Sequence, residues 1–274
     1  MTIDSHVHFW KYTKERYEWI NRSMKELQKD HLPVHLLPTL NRNGVDAVVA
    51  VQADQSELET LFLIELAKTN PLIQGIVGWL DLQADNLHER LTYFSNHSII
   101  KGYRHIVQGE ADDFMYNSNF RRGIAALQEY GYTYDILIYP RQLKAATDLV
   151  ASFPEQMFVV DHCAKPEIEK KEIDRWRTEI EQLAANPNVY CKVSGLLTEA
   201  GWKQWSPGDF YPYLDTVFNA FGIDRLMFGS DWPVMLMSGI YVQWKSLLEK
   251  YIEDRLPEEK EAFFGGNAEQ FYGL

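Results

Sequence analysis

The chain has 274 residues, 46% hydrophobic and 24% charged, with a formal net charge of −12. That composition supports a sizeable core, and an acidic surface without clustered Lys and Arg disfavours nucleic acid and anionic membrane as partners. The N-terminus lacks a basic start with an apolar run, and no apolar stretch nears ~18 residues, so neither a secretory leader nor a membrane span is expected and a cytoplasmic setting is the default.

Short β-rich runs alternate with helical patterns. A first strand is predicted over residues 2–8, followed by a long aromatic and charged segment, 9–38, that runs into a helix over 36–43. Strand and helix then alternate: 45–53 and 56–69, 73–80 and 86–95, 100–107 and 118–130, 132–139 and 141–151, 157–163 and 169–185. A seventh strand, 189–195, leads into an aromatic loop, 196–209, and a helix over 211–221. The last pair is 225–231 and 242–251. Ser56 stands three residues before Glu59, a capping-box spacing, while Gly131 and Pro187 follow helices as stops. Eight such units close most naturally into an α/β fold of the (β/α)8 TIM-like barrel type, a single domain over 1–274 with an extended loop after strand 1. A doubly wound open sheet is the runner-up, but no Gly-rich phosphate turn follows the first strand. The two cysteines, Cys163 and Cys191, fall in predicted strands as small buried hydrophobes.

The strand ends carry the anomaly. In TIDSHVHFW, side chains alternate along a strand, so Asp4, His6 and His8 are expected on one face. Three polar residues there are costly unless paired, and the two histidines can bind one metal ion or orient one substrate. Strand two ends in Gln52, strand three in Asp81, strand four in Arg104 and His105. Strand five carries Asp135, strand six Asp161 and His162, strand seven Lys192, and strand eight ends at Asp231. A barrel interior prefers Val, Ile and Leu, so this pattern makes an odd core but a sensible catalytic cup. Each residue also has a plainer reading. Asp161 is read as a turn cap in preference to a catalyst, Asp4 as a brace, His105 as a core histidine or a site residue, and Asp135 as a lysine partner or a site residue. Lys192 is assigned to the site because a closed barrel has no strand edge. His31, His35, His88 and His97 are expected at the surface. The aromatic segments after strands one and seven, with Trp10, Tyr12, Tyr17, Trp19, Trp202 and Trp205, are either lids or rim packing.

IDSHVHFW, GIVGWLDL, GYRHIVQ, YDILI, DHCAKP, CKVSGL and FGSDWPV, taken in order over essentially the whole chain, resemble the amidohydrolase superfamily (amidohydrolase 2 type). The combination of VDHCAKP, CKVSGL and FGSDWPV is similar to its sugar-lactonase branch, which includes L-fuconolactonase and L-rhamnonolactonase. The resemblance implies hydrolysis at a carbonyl and a site core of His6, His8, His162 and Asp231. It implies one divalent metal ion, zinc first among candidates, on His6, His8 and Asp231, or a metal-independent reaction, since the branch contains both. No bridging carboxylated lysine is visible on the middle strands, because Lys192 lies on strand seven, and this argues against two metals. The expected reaction is water attack on a sugar (aldono-) lactone, with Asp231 as general base and His162 and Lys192 assisting. Gln52, Arg104 and His105 would bind hydroxyls or ring oxygen, and Trp10, Trp79 and Trp232 would offer apolar faces. The alternatives are a metal-dependent decarboxylase or other amidohydrolase acting on a small carboxylic acid, and a non-catalytic sugar-acid binder. A homo-oligomer stays open.

Overall fold

In the computed structural model, which describes residues 1–274, eight parallel strands pair in chain order. They are β1 (Ile3–Val7), β2 (Ala47–Val51), β3 (Ile73–Gly78), β4 (Ile100–His105), β5 (Thr133–Ile136), β6 (Phe158–Val160), β7 (Val189–Val193) and β8 (Leu226–Phe228). The ring closes where Val7 bridges Trp232 in parallel, the His8 amide donates to the Trp232 carbonyl at 2.7 Å and Ser5 Oγ donates to the Phe228 carbonyl at 2.7 Å. The barrel expected from the alternation of strands and helices is therefore the observed architecture.

Helices α1 (Pro33–Arg42), α2 (Glu57–Thr69), α3 (Leu87–Phe94), α4 (Ser118–Glu129), α5 (Leu143–Ser152) and α6 (Asp174–Ala184) follow the first six strands. A short α7 (Leu196–Glu199) precedes α8 (Pro207–Phe221), and α9 (Tyr241–Tyr251) follows β8. Ser56 caps α2 by accepting from the Glu59 amide at 3.2 Å. The reciprocal half of the capping box is absent, because the Glu59 carboxylate is drawn to the Ala53 amide, Tyr17 Oη and Arg16. No helix is long and apolar enough to cross a membrane.

The chain adds α10 (Pro257–Glu261) and α11 (Asn267–Tyr272) after the eight units. Ala268, Phe271 and Tyr272 pack with Ile3, Val49, Val159 and Met227 and so plug the barrel floor. Gly265 lets the N-terminal strand pass, since a Cβ there would meet the Met1 carbonyl oxygen at 1.9 Å.

The strict alternation expected of the first strand does not hold. The β1–β2 register shifts between Asp4 and Val7, and a bulge of this kind re-aims side chains. Asp4 leaves the cup, accepting from the Ser230 amide at 2.9 Å and from Tyr241 Oη at 2.8 Å. It braces the turn after β8, and burial pushes its pKa up to about 6.

Candidate active site

A cavity of about 440 Å³ opens at the C-terminal mouth of the barrel, with His8, Arg104, His162 and Asp231 in its wall. Two of these, His162 and Asp231, arrive on unusual backbone. Asp231 has φ +60°, and the run His162, Cys163, Ala164, Lys165 has φ of 54°, 53°, 56° and 50°. Left-handed conformation costs a non-glycine residue roughly 1–2 kcal/mol, and strain of this kind concentrates at functional sites. The turn is held by the Lys165 amide donating to the His162 carbonyl at 2.8 Å and by Trp176 Nε1 donating to the Cys163 carbonyl at 2.9 Å. Gly195, at φ +66°, leaves room for the His162 ring, which a Cβ there would meet at 2.6 Å.

His8 Nδ1 lies 2.7 Å from the Val51 carbonyl. A carbonyl only accepts, so the neutral ring carries its proton on Nδ1 and turns the Nε2 lone pair to the cup. His6 Nδ1 lies 3.3 Å from Asp161 Oδ1 and 3.2 Å from Lys192 Nζ. Burial holds the His6 pKa well below its usual value against the opposing charge of Asp161, and it brings His162 down to about 4. Both rings are neutral at pH 7. For Asp231, burial acts upward, but His162, His8 and Lys165 outweigh it and the carboxyl sits below its ordinary range.

These groups converge. His6 Nε2 and His8 Nε2 are 3.2 Å apart, and Asp231 Oδ1 is 3.3 Å from His8 Nε2 and 3.9 Å from His6 Nε2. Asp231 Oδ1 is buried without a hydrogen-bond partner. The His8 Nε2 lone pair and the bare Asp231 oxygen meet beside His6 Nε2, which Arg104 Nη1 also approaches at 3.3 Å, and together these three groups make the donor set of a cation. Tetrahedral ligands about 2.0–2.1 Å from a zinc ion stand about 3.3–3.4 Å apart; the 3.2 and 3.3 Å separations match this, and the 3.9 Å one needs a small movement of Asp231 toward His6. Asp161 Oδ1, 3.3 Å from His6 Nδ1, places a carboxylate behind that ring on the side away from the cup.

Beneath His6 lies a buried ion network. Arg104 Nη1 donates to Asp161 Oδ2 at 2.9 Å, and its Nη2 donates to the Gln52 carbonyl at 2.5 Å. Lys192 Nζ reaches Asp135 Oδ2 at 2.5 Å and Asp161 Oδ1 at 3.2 Å. Tyr272 Oη donates to Asp135 at 2.9 Å. Asp161 is therefore a hub and not a turn cap, and the Asp135–lysine partnership weighed above is present. Lys192, 0% exposed, does not reach the cavity wall.

Of the residues expected to touch substrate, Arg104 lines the cavity and five others do not. Gln52 is buried, with Nε2 donating to the Arg104 carbonyl at 3.2 Å. His105 is turned outward onto Glu110 at 2.9 Å and stacks on Phe114. The Trp79 backbone is tied to Thr60 Oγ1. Trp232 packs on Phe9 and His31. Trp10 is likewise fully buried, with His31 against its ring. His31 is thus a core residue, not the surface histidine expected, because the segment after β1 folds back over it. The aromatic groups that do line the cavity are Trp19, Tyr139 and Trp202, with Lys165 and Glu199 beside them. The segments after β1 and β7 act in both ways weighed above. Trp10 and Tyr17 pack, whereas Trp19 and Trp202 remain 39% and 40% exposed at the mouth.

A barrel whose first-strand histidines and last-strand aspartate meet at its C-terminal mouth is the amidohydrolase arrangement, and a family profile described as Amidohydrolase matches residues 3–274. The chain belongs to that family. It is 40% identical over 286 residues to an L-fucono-1,5-lactonase of Burkholderia multivorans, covering 100% of this chain and 96% of the relative. It is 33% identical to an L-fucono-1,5-lactonase of Burkholderia ambifaria, covering 99% and 95%. A crystal structure of a Burkholderia multivorans amidohydrolase with bound zinc superposes with a TM-score of 0.95 at 41% identity, covering 100% of this chain and 99% of that one.

Proposed function

We propose that the protein is a lactonase that opens an aldonolactone by water attack on the carbonyl. The first candidate is a six-membered 1,5-lactone of a 6-deoxy sugar, after the names of both Burkholderia relatives. The observation that carries this reading is the unpartnered Asp231 Oδ1, held between His8 and His162 in a cavity open to solvent.

Asp231 takes a proton from the attacking water as the new C–O bond forms, and it returns that proton to the ring oxygen as the lactone C–O bond breaks. It is ionised at neutral pH, so its strength as a base comes from position. Neutral His162, fixed by Ser194 Oγ at 2.8 Å, borders the carboxylate with Nε2 3.9 Å from Asp231 Oδ1. Arg104, with its guanidinium at the cavity wall, offers positive charge to the developing oxyanion. A zinc or similar divalent ion on His6, His8 and Asp231 would polarise the carbonyl and acidify water. Lys192 and Gln52 act through others, holding Asp161, Asp135 and Arg104. A decarboxylase of this scaffold would want an acidic ligand beside the H-x-H pair, and Asp4 is turned away to Ser230 and Tyr241. A cytoplasmic setting accords with two buried free cysteines.

The test is a panel of aldonolactones in a pH-indicator assay, with metal analysis of the purified protein. Acid release from L-fucono-1,5-lactone is expected, and absence of acid release from every lactone would overturn the reading. Exhaustive chelation with unchanged turnover would deny the ion a catalytic part.

A further inference from the structure

The cavity is not closed on its far side. Tyr139, Lys165 and Glu199 line it and also line an adjoining open cleft of about 800 Å³. They form a partition between the two. Lys165 and Glu199 are both mostly buried there, with side chains 17% and 21% exposed. Lys165 Nζ stands 4.0 Å from Glu199 Oε1 and 5.6 Å from the centre of the Tyr139 ring. Neither distance is a hydrogen bond. The ammonium has three protons to donate and no hydrogen-bond partner in the protein. The Glu199 carboxylate receives only a long contact, 3.5 Å, from Thr198 Oγ1.

Both residues are held in place. Lys165 ends the left-handed run that also delivers His162. Glu199 ends α7, and its carbonyl accepts from the Glu169 amide at 2.9 Å. Burial pushes the Glu199 pKa up, Lys165 opposes this, and the charge of Asp231 adds to it. A single hydroxyl oxygen about 2.8 Å from each partner would accept from Lys165 and donate to Glu199 at an angle of about 90°, near what an sp3 oxygen prefers.

The geometry points to Lys165 and Glu199 as a specificity pair that reads one ring hydroxyl of the substrate, in the same cavity as the carbonyl attacked beside Asp231. This rests on the lactonase reading above. The pair takes no proton from the attacking water and forms no bond to the substrate. Its contribution is discrimination, because a site built to hydrogen-bond a hydroxyl leaves buried polar groups unpaired when the hydroxyl is missing.

The test crosses enzyme and substrate changes. Wild type, Lys165→Met and Glu199→Gln are assayed on L-fucono-1,5-lactone and on its monodeoxy analogues, each lacking one ring hydroxyl, with melting temperatures recorded alongside. At one ring position, removing the hydroxyl should lower wild-type kcat/KM by roughly a hundredfold. Either variant should lower it by a similar factor on the full substrate, with little further loss on that one analogue. Losses that multiply at every position, or variants that lose nothing, would overturn the inference alone. Failure of the wild-type protein on every lactone would overturn the parent reading and this one together.

Discussion

Two clusters of charge sit a few ångströms apart in the barrel interior and behave differently. Beneath His6, two cations and two carboxylates balance: Asp161 meets Arg104 and Lys192, and Asp135 meets Lys192 and Tyr272. Above it, Asp231 Oδ1 has imidazole nitrogens as its nearest neighbours at 3.3 Å and 3.9 Å, and no hydrogen bond. The lower cluster is compensated and, apart from Arg104 at the cavity wall, sealed, so it mainly orients. The upper one is uncompensated and wet, so it reacts. Burial alone does not distinguish them, since Asp161 is 0% and Asp231 3% exposed.

The comparison breaks first at Asp231. Asp231→Asn keeps the shape and removes the base, so turnover should fall by roughly a hundredfold or more in the pH-indicator assay, with the melting temperature nearly unchanged. The lower cluster should answer the other way. Lys192→Met strands two buried carboxylates and should cost about 3–5 kcal/mol in urea unfolding, whereas adding Asp135→Leu should recover part of that loss. Tyr272→Phe, which removes one donor from Asp135, should cost about 1.5–3 kcal/mol by the same measurement.

The smallest effect lies outside both clusters, at Glu59, whose buried carboxyl is pushed up from 4.5 to about 7 by desolvation. The folded state holds that proton more tightly than the unfolded chain, so the contribution is favourable below about pH 4.5 and is lost as pH rises through about 7. Glu59→Gln should therefore gain stability relative to wild type as pH is raised from about 5 to about 8, read as a difference in melting temperature. A constant difference would mean that Arg16 and the Ala53 amide keep Glu59 ionised throughout.

The sequence made the barrel legible because eight apolar runs, each ending in a polar residue, repeat at regular spacing. It made the upper cluster legible as well, since His6, His8, His162 and Asp231 stand at strand ends where valine is expected. Four features were hidden. Period-two reasoning places Asp4 with His6 and His8, and only pairing with β2 reveals the register shift that separates them. Aromatic content does not say which ring packs: Trp10 and Trp232 are buried, while Trp19 and Trp202 face the cavity. Lys165 lay within the quoted DHCAKP run, yet no residue-type rule anticipates four successive left-handed residues that swing it to the mouth. The C-terminal plug was missed because 257–272 has helical content outside the repeating unit.

That plug carries a consequence for how the molecule is made. Asp135 receives its tyrosine from position 272, and β1 finds its closing neighbour only in the turn after β8. On the ribosome, the β1 contact cannot form before residue 232 is made, nor the Asp135 contact before residue 272. Pairings this distant along the chain are slow to form, so the nascent half-barrel must wait with a charged centre and one open side, a stretch of time in which a chaperone has most to offer.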